Sequence, residues 1–543
     1  MQPKIISGQF VDIPNRNIFP AEVHIRDRKI ISVSRTTHAP EVYILPGFID
    51  AHVHIESSML IPAEFARIAV THGTVATVSD PHEIANVCGM EGIRYMIANG
   101  EKVPFKFYFG APSCVPATPF ETAGAEITAK EIDSLLSRED IVYLAEMMNW
   151  PGVVHRDPDV MEKIAVAQKY HKPVDGHAPG LKGELARQYI AAGISTDHEC
   201  FTAGEALDKL KHGMKIIIRE GSAARNFDAL IDLIDGHAAH IMFCSDDKHP
   251  DNLVEGHIDQ LVARAVARGK DLFDVLRAAC LNPIDHYGLR VGHLREDDPA
   301  DFIVVKDLKR FEVLETYIDG ERVAQHGKAM IARQEHHIIN NFTTSVKTPA
   351  DFLLEAKGQR IRVIEAKDGE LITSETVVPV SEKQGYAVAD TEKDILKIAV
   401  VNRYGNAAPQ VAFVKNFGLQ QGAIASSVAH DSHNIIAVGT DDVSLAKAVN
   451  LIMESKGGVC AVHDEEHALL PLPVGGIMSA EDGYEVAKAY TAVDAMAKAM
   501  GATLQSPFMT LSFMALLVIP DLKLSDKGLF DGRKFEFTGL FIS

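Results

Sequence analysis

An α/β fold consisting of a (β/α)8 barrel and two smaller modules is predicted by three observations. Eight short apolar runs, each followed by ten or more residues of helical pattern, occupy residues 43–247. Polar residues stand at the ends of most of these runs, where barrel enzymes form their active sites. Alternating apolar and polar residues, typical of half-buried antiparallel strands, lie before and after this region.

The flanking segments predict how the rest of the chain is divided. Strand-like runs such as KIISGQFVDI before the barrel and PADFIVVKDL after it are too few for a stable sheet on either side. We therefore expect residues 1–42 and 293–340 to form one small β-sandwich together, with the barrel at residues 43–292. Residues 341–543, with strand runs such as LKIAVVNRY and helical runs such as DVSLAKAVNLIMESKG, predict a C-terminal α+β domain.

Composition limits the classes of function. The chain has 543 residues, 46% of them hydrophobic and 24% charged, which is typical of a globular protein with two or three domains. With 54 Lys and Arg against 74 Asp and Glu, its net charge is −20. Such a chain repels nucleic acids and anionic membranes, so a nucleobase substrate would have to be small and free. A large acidic chain with an extra domain is also expected to form a homo-oligomer.

Cellular location is predicted from the cysteines and the chain start. The six cysteines form no CxxC pair, and MQPKIISGQF lacks the basic and apolar segments of a signal peptide. The longest apolar stretch, near FMALLVIP, is far shorter than the roughly 20 residues of a membrane span. We expect a cytoplasmic protein with reduced thiols and no membrane partner.

The predicted barrel strands alternate with amphipathic helices. Segments such as EFARIAVTHG carry apolar residues three and four apart, the stripe that packs against a parallel sheet. The eight strands end, in order, at Glu56, Asp80, Gly110, Glu146, His177, His198, Glu220 and Asp247.

Four histidines and two carboxylates at these strand ends predict a site for divalent metal ions. His52 and His54 are two apart on strand 1 and face the same side, although such a pair alone is more often hydrogen-bonded or exposed. The C-terminal ends of barrel strands meet at one rim, so polar residues of strands 4, 5, 6 and 8 would converge on this pair. Together they can hold two ions, and chance placement explains them poorly. The six candidates are His52, His54, Glu146, His177, His198 and Asp246.

The chain resembles the amidohydrolase superfamily in PGFIDAHVHIESSML, in GHLREDDPADFIVV and in the strand positions of these six residues. More narrowly, HVHIESSML, SDPHEIANVCG, DGHAPGL, STDHE and SDDKHPD look like the bacterial adenine deaminases of that superfamily. The similarity continues through HDSHN and LPLPVGGIMS and covers nearly the whole chain. It implies a barrel of amidohydrolase type that hydrolyses adenine to hypoxanthine and ammonia, with a purine base and water as its partners.

The resemblance also implies the cofactor and the role of each ligand. A hydroxide activated by two divalent ions would attack C6, with Mn or Fe favoured although Zn also suits such ligands. Strand 4 offers no lysine, which argues against the cyclic-amide hydrolases that carry a carboxylated lysine there. The implied assignment gives His52, His54 and Asp246 to one ion, His177 and His198 to the other, and Glu146 to both.

Proton transfer requires further groups, because the departing amine must be protonated. Asp246, beside the attacking water, can carry that proton, the alternative being that it only binds metal. Asp80 and His82, after strand 2, form a carboxylate–imidazole pair suited to a proton relay or a substrate contact. The alternative is that Asp80 caps the following helix while His82 packs against loops.

Other polar residues are less specific. HDSHN places His430, Asp431 and His433 in a turn, for which active-site capping and structural hydrogen bonding are equally good interpretations. HDEEH, with His463 and His467 four apart, lacks the glutamate of metalloprotease helices and is interpreted as exposed surface. Four residues just past strand ends could pair with purine nitrogens, although nothing assigns them individually: Glu56, Glu83, Glu220 and Ser222.

Two other functions stay open at this point. One is deamination of a modified purine, such as an N6-substituted adenine, and the other is a catalytically dead barrel that serves as a scaffold. Loss of ligands would mark the scaffold, and all six are present. The PCxxC pattern of mononuclear zinc deaminases, a Walker A loop and a GxSxG elbow are absent from the sequence.

Overall fold

Eight parallel strands close into a barrel in this computed structural model, which describes residues 4–542. Residues 1–3 and 543, at the ends of the two predicted terminal segments, lie outside the described part. Strands 1–5 form one hydrogen-bonded sheet and strands 6–8 another. The barrel strands, numbered 1–8 from here on, are Phe48–Val53, Thr74–Ser79, Lys106–Ala111, Ile141–Met147, Val174–Gly176, Thr196–Asp197, Lys215–Arg219 and Ile241–Cys244.

Isolated bridges join the two sheets at both seams. Val53 on strand 1 pairs with Asp246 just after strand 8, and Val174 on strand 5 pairs with Ile194 just before strand 6. Every residue of strands 1 and 2 is buried, because side chains fill the interior on one face and helices cover the other. The predicted (β/α)8 barrel is confirmed.

Helices of varied length surround these strands and connect them. The long helix after strand 2 begins at His82, so this residue lies where the chain leaves the rim. The helices from the barrel region are Pro62–Ala69, His82–Gly100, Ala129–Leu136, Trp150–Val154, Pro158–Lys169, Gly183–Ala191, Ala203–Leu210, Phe227–Leu230, Ile234–His237, Pro250–Glu255, Ile258–Ala267, Leu272–Leu276 and Asn282–Tyr287.

Both flanks of the barrel contribute to one β module, as predicted. Its eight strands form one continuous mixed sheet rather than two separate hydrogen-bonded sheets. The joint is Tyr43–Pro46, which pairs in parallel with the first strand and antiparallel with Phe302–Val305. The strands are Lys4–Asp12, Asn17–Arg26, Lys29–Arg35, Tyr43–Pro46, Phe302–Val305, Val313–Ile318, Glu321–Gln325 and Lys328–Ala329.

The C-terminal region is a mixed α/β module built on a nine-stranded sheet. Three helices belong to this region: Asp442–Glu454, Gly483–Ala499 and Pro507–Phe513. The sheet strands are Arg360–Glu365, Ser374–Pro379, Ile395–Val401, Gln410–Lys415, Ala423–Ser426, Ile435–Gly439, Gly458–His463, Glu466–Pro471 and Phe541–Ile542. Short strands outside this sheet are Glu382–Lys383, Tyr386–Ala387, Leu522–Ser525, Gly528–Asp531 and Glu536–Phe537.

The C-terminal module packs on the barrel at the rim where the strands end. Leu60, after strand 1, forms a bridge with Ser479, and the amide of Gly483 donates to Glu64 at 3.2 Å. Thr122, after strand 3, donates its amide to Asp526 at 2.9 Å. Two widely separated loops of the barrel mouth are thus covered by residues of this module.

The six cysteines are free, and all except Cys88 are buried. Across residues 4–542, no helix has both the length and the apolar character needed to cross a membrane.

Candidate active site

The seam between strands 1 and 8 positions the first group of polar side chains. The amide of Asp246 donates to the carbonyl of His52 at 3.0 Å, and the amide of His54 donates to the carbonyl of Asp246 at 3.3 Å. His52 Nε2 lies 3.1 Å from His54 Nε2, and Asp246 Oδ1 lies 3.5 Å and 3.4 Å from these two nitrogens. Three ligand atoms therefore face one small volume, and all three side chains are buried.

Glu146, near the end of strand 4, directs its two oxygens to different histidines. Oε1 lies 3.3 Å from His54 Nε2, whereas Oε2 lies 2.7 Å from His177 Nδ1 and 3.2 Å from His198 Nε2. Burial alone would raise the pKa of Glu146, but the surrounding histidines hold it well below the ordinary value. The carboxylate is thus ionised and lies between two groups of nitrogen ligands.

Arg219 and Glu199 are two further charged residues of this site, and neither was predicted from the sequence. Arg219 Nη1 donates to Asp246 Oδ2 at 2.6 Å, and Nη2 donates to Glu199 Oε2 at 2.7 Å. Glu199 Oε1 also lies 3.4 Å from His177 Nδ1 and 3.5 Å from His198 Nε2. The sequence carries no signal that separates Arg219 from the adjacent Glu220, because the apolar run KIIIR shows no alternation.

This donor set fits divalent metal ions. Imidazole nitrogens and carboxylate oxygens are the ligands that Zn, Mn and Fe accept, and the histidine nitrogens approach each other closely in a buried site. Several groups of such atoms lie within 4.8 Å of one another, among them His52 with His54 and Asp246; His52 with Glu146 and His198; His177 with His198 and Glu199. The six residues predicted at the strand ends thus come together, and Glu199 joins them.

Asp80 and His82 form the predicted carboxylate–imidazole pair beside this group. Asp80 Oδ2 lies 3.0 Å from His82 Nδ1, while Oδ1 accepts the backbone N–H of His82 at 3.1 Å. Asp80 thus contacts both the imidazole of His82 and the first backbone N–H of the following helix. Burial alone would lower the pKa of His82, but Asp80 and Glu83 outweigh it and raise that pKa well above the ordinary value.

The structure places the four residues predicted to contact substrate in different surroundings. Glu83 lines the central cavity. Glu56 is buried beside it, accepts the amide of Ile84 at 3.2 Å, and has its pKa raised by burial to about 7. Glu220 faces away and contacts Arg264 at 2.5 Å. Ser222 donates to Asn252 at 2.7 Å and accepts the amide of His249, so its contacts are structural.

The HDSHN segment of the C-terminal module reaches the barrel mouth at Glu83. His430 Nδ1 and His433 Nε2 contact the two carboxylate oxygens of Glu83. Between these histidines, Asp431 Oδ1 lies 3.7 Å from His82 Nε2. Burial alone would raise the pKa of Glu83, but the histidines hold it well below the ordinary value. The segment therefore borders the barrel mouth and also makes structural hydrogen bonds with Glu83, so its geometry is compatible with both interpretations.

A narrow cavity of about 20 Å3 lies among these side chains. Its apolar walls are Met148 from the barrel and Leu371, Phe513 and Leu516 from the C-terminal module. Two of these walls share one support, because the buried Lys523 donates to the carbonyls of Leu371 at 2.7 Å and Phe513 at 2.9 Å. A substrate larger than a water molecule requires the walls to move apart.

The chain is similar to two family profiles and to several known proteins. Residues 43–323 match the profile of the amidohydrolase family, and the chain belongs to that family. Residues 370–536 match the profile described as adenine deaminase C-terminal domain. The adenine deaminases of Salinibacter ruber and Methanosarcina acetivorans are 57% and 53% identical to it, over 99% and 98% of this chain and 99% of each relative.

Among solved structures, N-acetyl-D-glucosamine-6-phosphate deacetylase of Mycobacterium smegmatis superposes with a TM-score of 0.46 at 16% identity. The superposition covers 59% of this chain and 99% of that protein. From the family and the ligand clusters together, the protein is an enzyme that hydrolyses C–N bonds and uses divalent metal.

Proposed function

We propose that this protein hydrolyses adenine to hypoxanthine and ammonia. The observation that carries the proposal is the convergence of four histidines and two carboxylates at the mouth of one barrel, beside a slot with apolar walls. The names of relatives that match over almost the whole chain point to the same reaction. The dead-scaffold alternative has no support, because every side chain of the ligand set is present.

The proposed metal ligands form two groups that share one carboxylate. His52, His54 and Asp246 would hold one ion, and His177 and His198 the other. Glu146 fits the bridging position because its two oxygens contact different groups. Ions bound there lower the pKa of a water molecule and so supply a nucleophile near neutral pH. We propose Mn or Fe, with Zn as the competitor that the metal analysis below distinguishes.

Asp246 is the proposed proton carrier. Arg219 fixes Oδ2, which leaves Oδ1 directed towards His52 and His54, where the attacking water would lie. From that position Asp246 can accept a proton from the water and deliver it to the departing amine.

His82 is proposed to stabilise the charge that develops on the substrate. Attack on C6 of a purine transfers negative charge to the neighbouring ring nitrogen. Burial lowers the pKa of His82 but Asp80 and Glu83 raise it well above the ordinary value, so the imidazolium can donate a hydrogen bond to that nitrogen in a buried site.

The setting of the enzyme is also proposed. The net charge of −20 supports the absence of nucleic-acid and anionic-membrane partners, and the six free cysteines support a reducing, cytoplasmic location. We further propose the three-part division into residues 1–42 with 293–340, residues 43–292 and residues 341–543, and a homo-oligomeric state, which light scattering on the purified protein would measure.

The decisive test is a panel of free purines assayed for ammonia release, with the metal content measured on the same sample. Adenine should be the best substrate of a panel that includes N6-methyladenine, guanine and adenosine. A higher kcat/KM for the N6-substituted base would favour the modified-purine alternative. Absence of ammonia release from every purine, with two ions bound, would contradict the proposal.

A further inference from the structure

Two buried polar atoms of the C-terminal module lack hydrogen-bond partners beside the cavity. His430 and Asp431 are each 3% exposed, and both line the slot. Nε2 of His430 and Oδ2 of Asp431 have no hydrogen-bond partner within residues 4–542, and Asp247 Oδ1 lies 4.0 Å from that nitrogen. Because a buried polar group without a partner destabilises the folded chain, this pair of atoms is suited to a ligand that supplies both partners.

The segment that carries these atoms is held firmly. Glu83 contacts both His430 and His433, and the buried Arg403 donates to the carbonyl of His433 at 3.3 Å and to that of Gly475 at 2.7 Å. The backbone N–H of Arg403 also donates to the Asn434 side chain at 3.1 Å. Residues 430–434 are therefore a preformed part of the site, not an exposed loop.

The two free atoms offer complementary hydrogen-bonding capacity. Burial alone would lower the pKa of His430, but Glu83 and Asp247 raise it to about 9. Its Nδ1 contacts Glu83, so Nε2 carries the proton available for donation. Asp431 Oδ2 is a carboxylate oxygen and accepts. The two consecutive residues thus offer one donor and one acceptor at the cavity that both line.

Asp431 lies on the far side of His82 from the proposed metal ligands. His82 lies 3.7 Å from Glu146 on its Nδ1 side and 3.7 Å from Asp431 on its Nε2 side. Asp431 is thus one imidazole ring beyond the proposed bridging carboxylate. When C6 of adenine lies at the metal ligands, the opposite edge of the base carries N3, an acceptor, next to N9–H, a donor.

We propose that His430 and Asp431 bind the N3/N9 edge of the purine, with Asp431 accepting N9–H and His430 donating to N3. The inference rests on the proposed deamination of adenine. It assigns the enzyme's preference for the free base, over purines substituted at N9, to the C-terminal module. A substituent on N9 removes the donor, blocks the approach of the base, and leaves the Asp431 carboxylate buried without a partner. Sites built to hydrogen-bond a substrate group reject analogues that lack it by up to roughly 10⁴–10⁵.

The test compares kcat/KM for adenine and for 9-methyladenine in the wild type, Asp431→Ala and Asp431→Asn. The wild type should prefer adenine by about 10³-fold or more, and Asp431→Ala should lose about 10²-fold or more on adenine. Activity on 9-methyladenine should change by less than about 3-fold in Asp431→Ala, so that the preference falls. Asp431→Asn, which keeps one carbonyl acceptor and the shape of the side chain, should show an intermediate preference.

The matched control is Asp464→Asn, which removes the same charge from an exposed turn of the C-terminal module. It should leave both substrates unaffected. An unchanged preference in folded Asp431→Ala and Asp431→Asn would overturn the inference. So would a third equivalent of metal that disappears with Asp431, because the residue would then be a ligand. Failure of the wild type to deaminate adenine would instead overturn the proposed function.

The proposed contact between His430 and N3 is tested with a second substrate analogue. 3-Deazaadenine lacks the N3 acceptor, so the wild type should prefer adenine over it, and His430→Asn should reduce that preference at least about 10-fold. A preference that stays the same in folded His430→Asn would overturn the assignment of N3.

Discussion

Neighbouring residues at a strand end have opposite environments in this protein. On strand 7, Ile217 packs in the barrel interior, whereas Ile216 and Ile218 pack against the outer helices. The alternation directs Arg219 inward to Asp246 and Glu220 outward to Arg264. Each charged side chain in the interior, such as Glu146, is surrounded by partner groups. Removing one such charge should therefore have large effects.

The first prediction concerns the bridging carboxylate. Glu146→Gln keeps the shape of the side chain but removes the charge that both histidine groups contact, so bound metal should fall below two ions per chain and turnover should collapse. Elemental analysis and ammonia release on the same sample measure both. Glu139→Gln, an exposed residue before the same strand, is the matched control. Two retained ions with near-normal turnover would contradict the bridge.

The second prediction separates metal binding from proton transfer at strand 8. Asp246→Asn keeps a carbonyl oxygen for the metal but cannot carry the proton, so turnover should fall about 10²-fold or more while metal is largely retained. Asp228→Asn, an exposed residue, is the control. If the variant held both ions and deaminated at nearly the wild-type rate, the proton carrier would be His82. A lost or displaced limb in the pH profile of His82→Asn would then identify it.

At the scale of elements, the walls of the slot depend on one buried amine. Lys523, on strand Leu522–Ser525, ties the carbonyl of Leu371 to that of Phe513 at the end of helix Pro507–Phe513. Burial lowers the pKa of this lysine to about 7. In the unfolded chain a lysine has a pKa of about 10.4. Between about pH 7 and pH 10.4 the unfolded chain therefore binds more protons than the folded chain.

The third prediction follows from that difference. The contribution of Lys523 to the free energy of unfolding should rise with pH from about 7 to 10, by at most about 1.4 kcal/mol per pH unit, and be flat below pH 7. The difference in urea unfolding between the wild type and Lys523→Met should follow this course. Lys527→Met, with an amine on the protein surface, is the control. A difference that did not grow with pH would contradict a neutral buried amine.

At the scale of the whole molecule, one barrel residue connects two modules. Glu83, in the first turn of helix His82–Gly100, accepts from His430 and His433, which lie almost 350 residues later in the chain. Hydrogen bonds to a charged group contribute about 1.5–3 kcal/mol each, so this contact is a substantial part of the attachment at the rim.

The fourth prediction tests that contact. Glu83→Gln should speed amide hydrogen exchange in residues 429–434, because the ionic partner of both histidines is lost, and should lower kcat/KM for adenine. Exchange in barrel strands 1 and 8 should stay unchanged. Glu91→Gln, on the exposed face of the same helix, is the matched control. Unchanged exchange in residues 429–434 would show that other contacts suffice.

By itself, the sequence determined the barrel, the shared β module and the convergence of the six side chains proposed to bind metal. Strand and helix periods are local, and parallel topology brings every strand end to one rim, so strand position alone placed His52 near His198. Only the tertiary structure decided that Arg219 rather than Glu220 faces the site, because the apolar run before them shows no alternation that fixes the inward face. It also decided that Glu83 meets His430 and that Lys523 supports the slot, since such contacts join segments hundreds of residues apart and leave no periodic signal in either one.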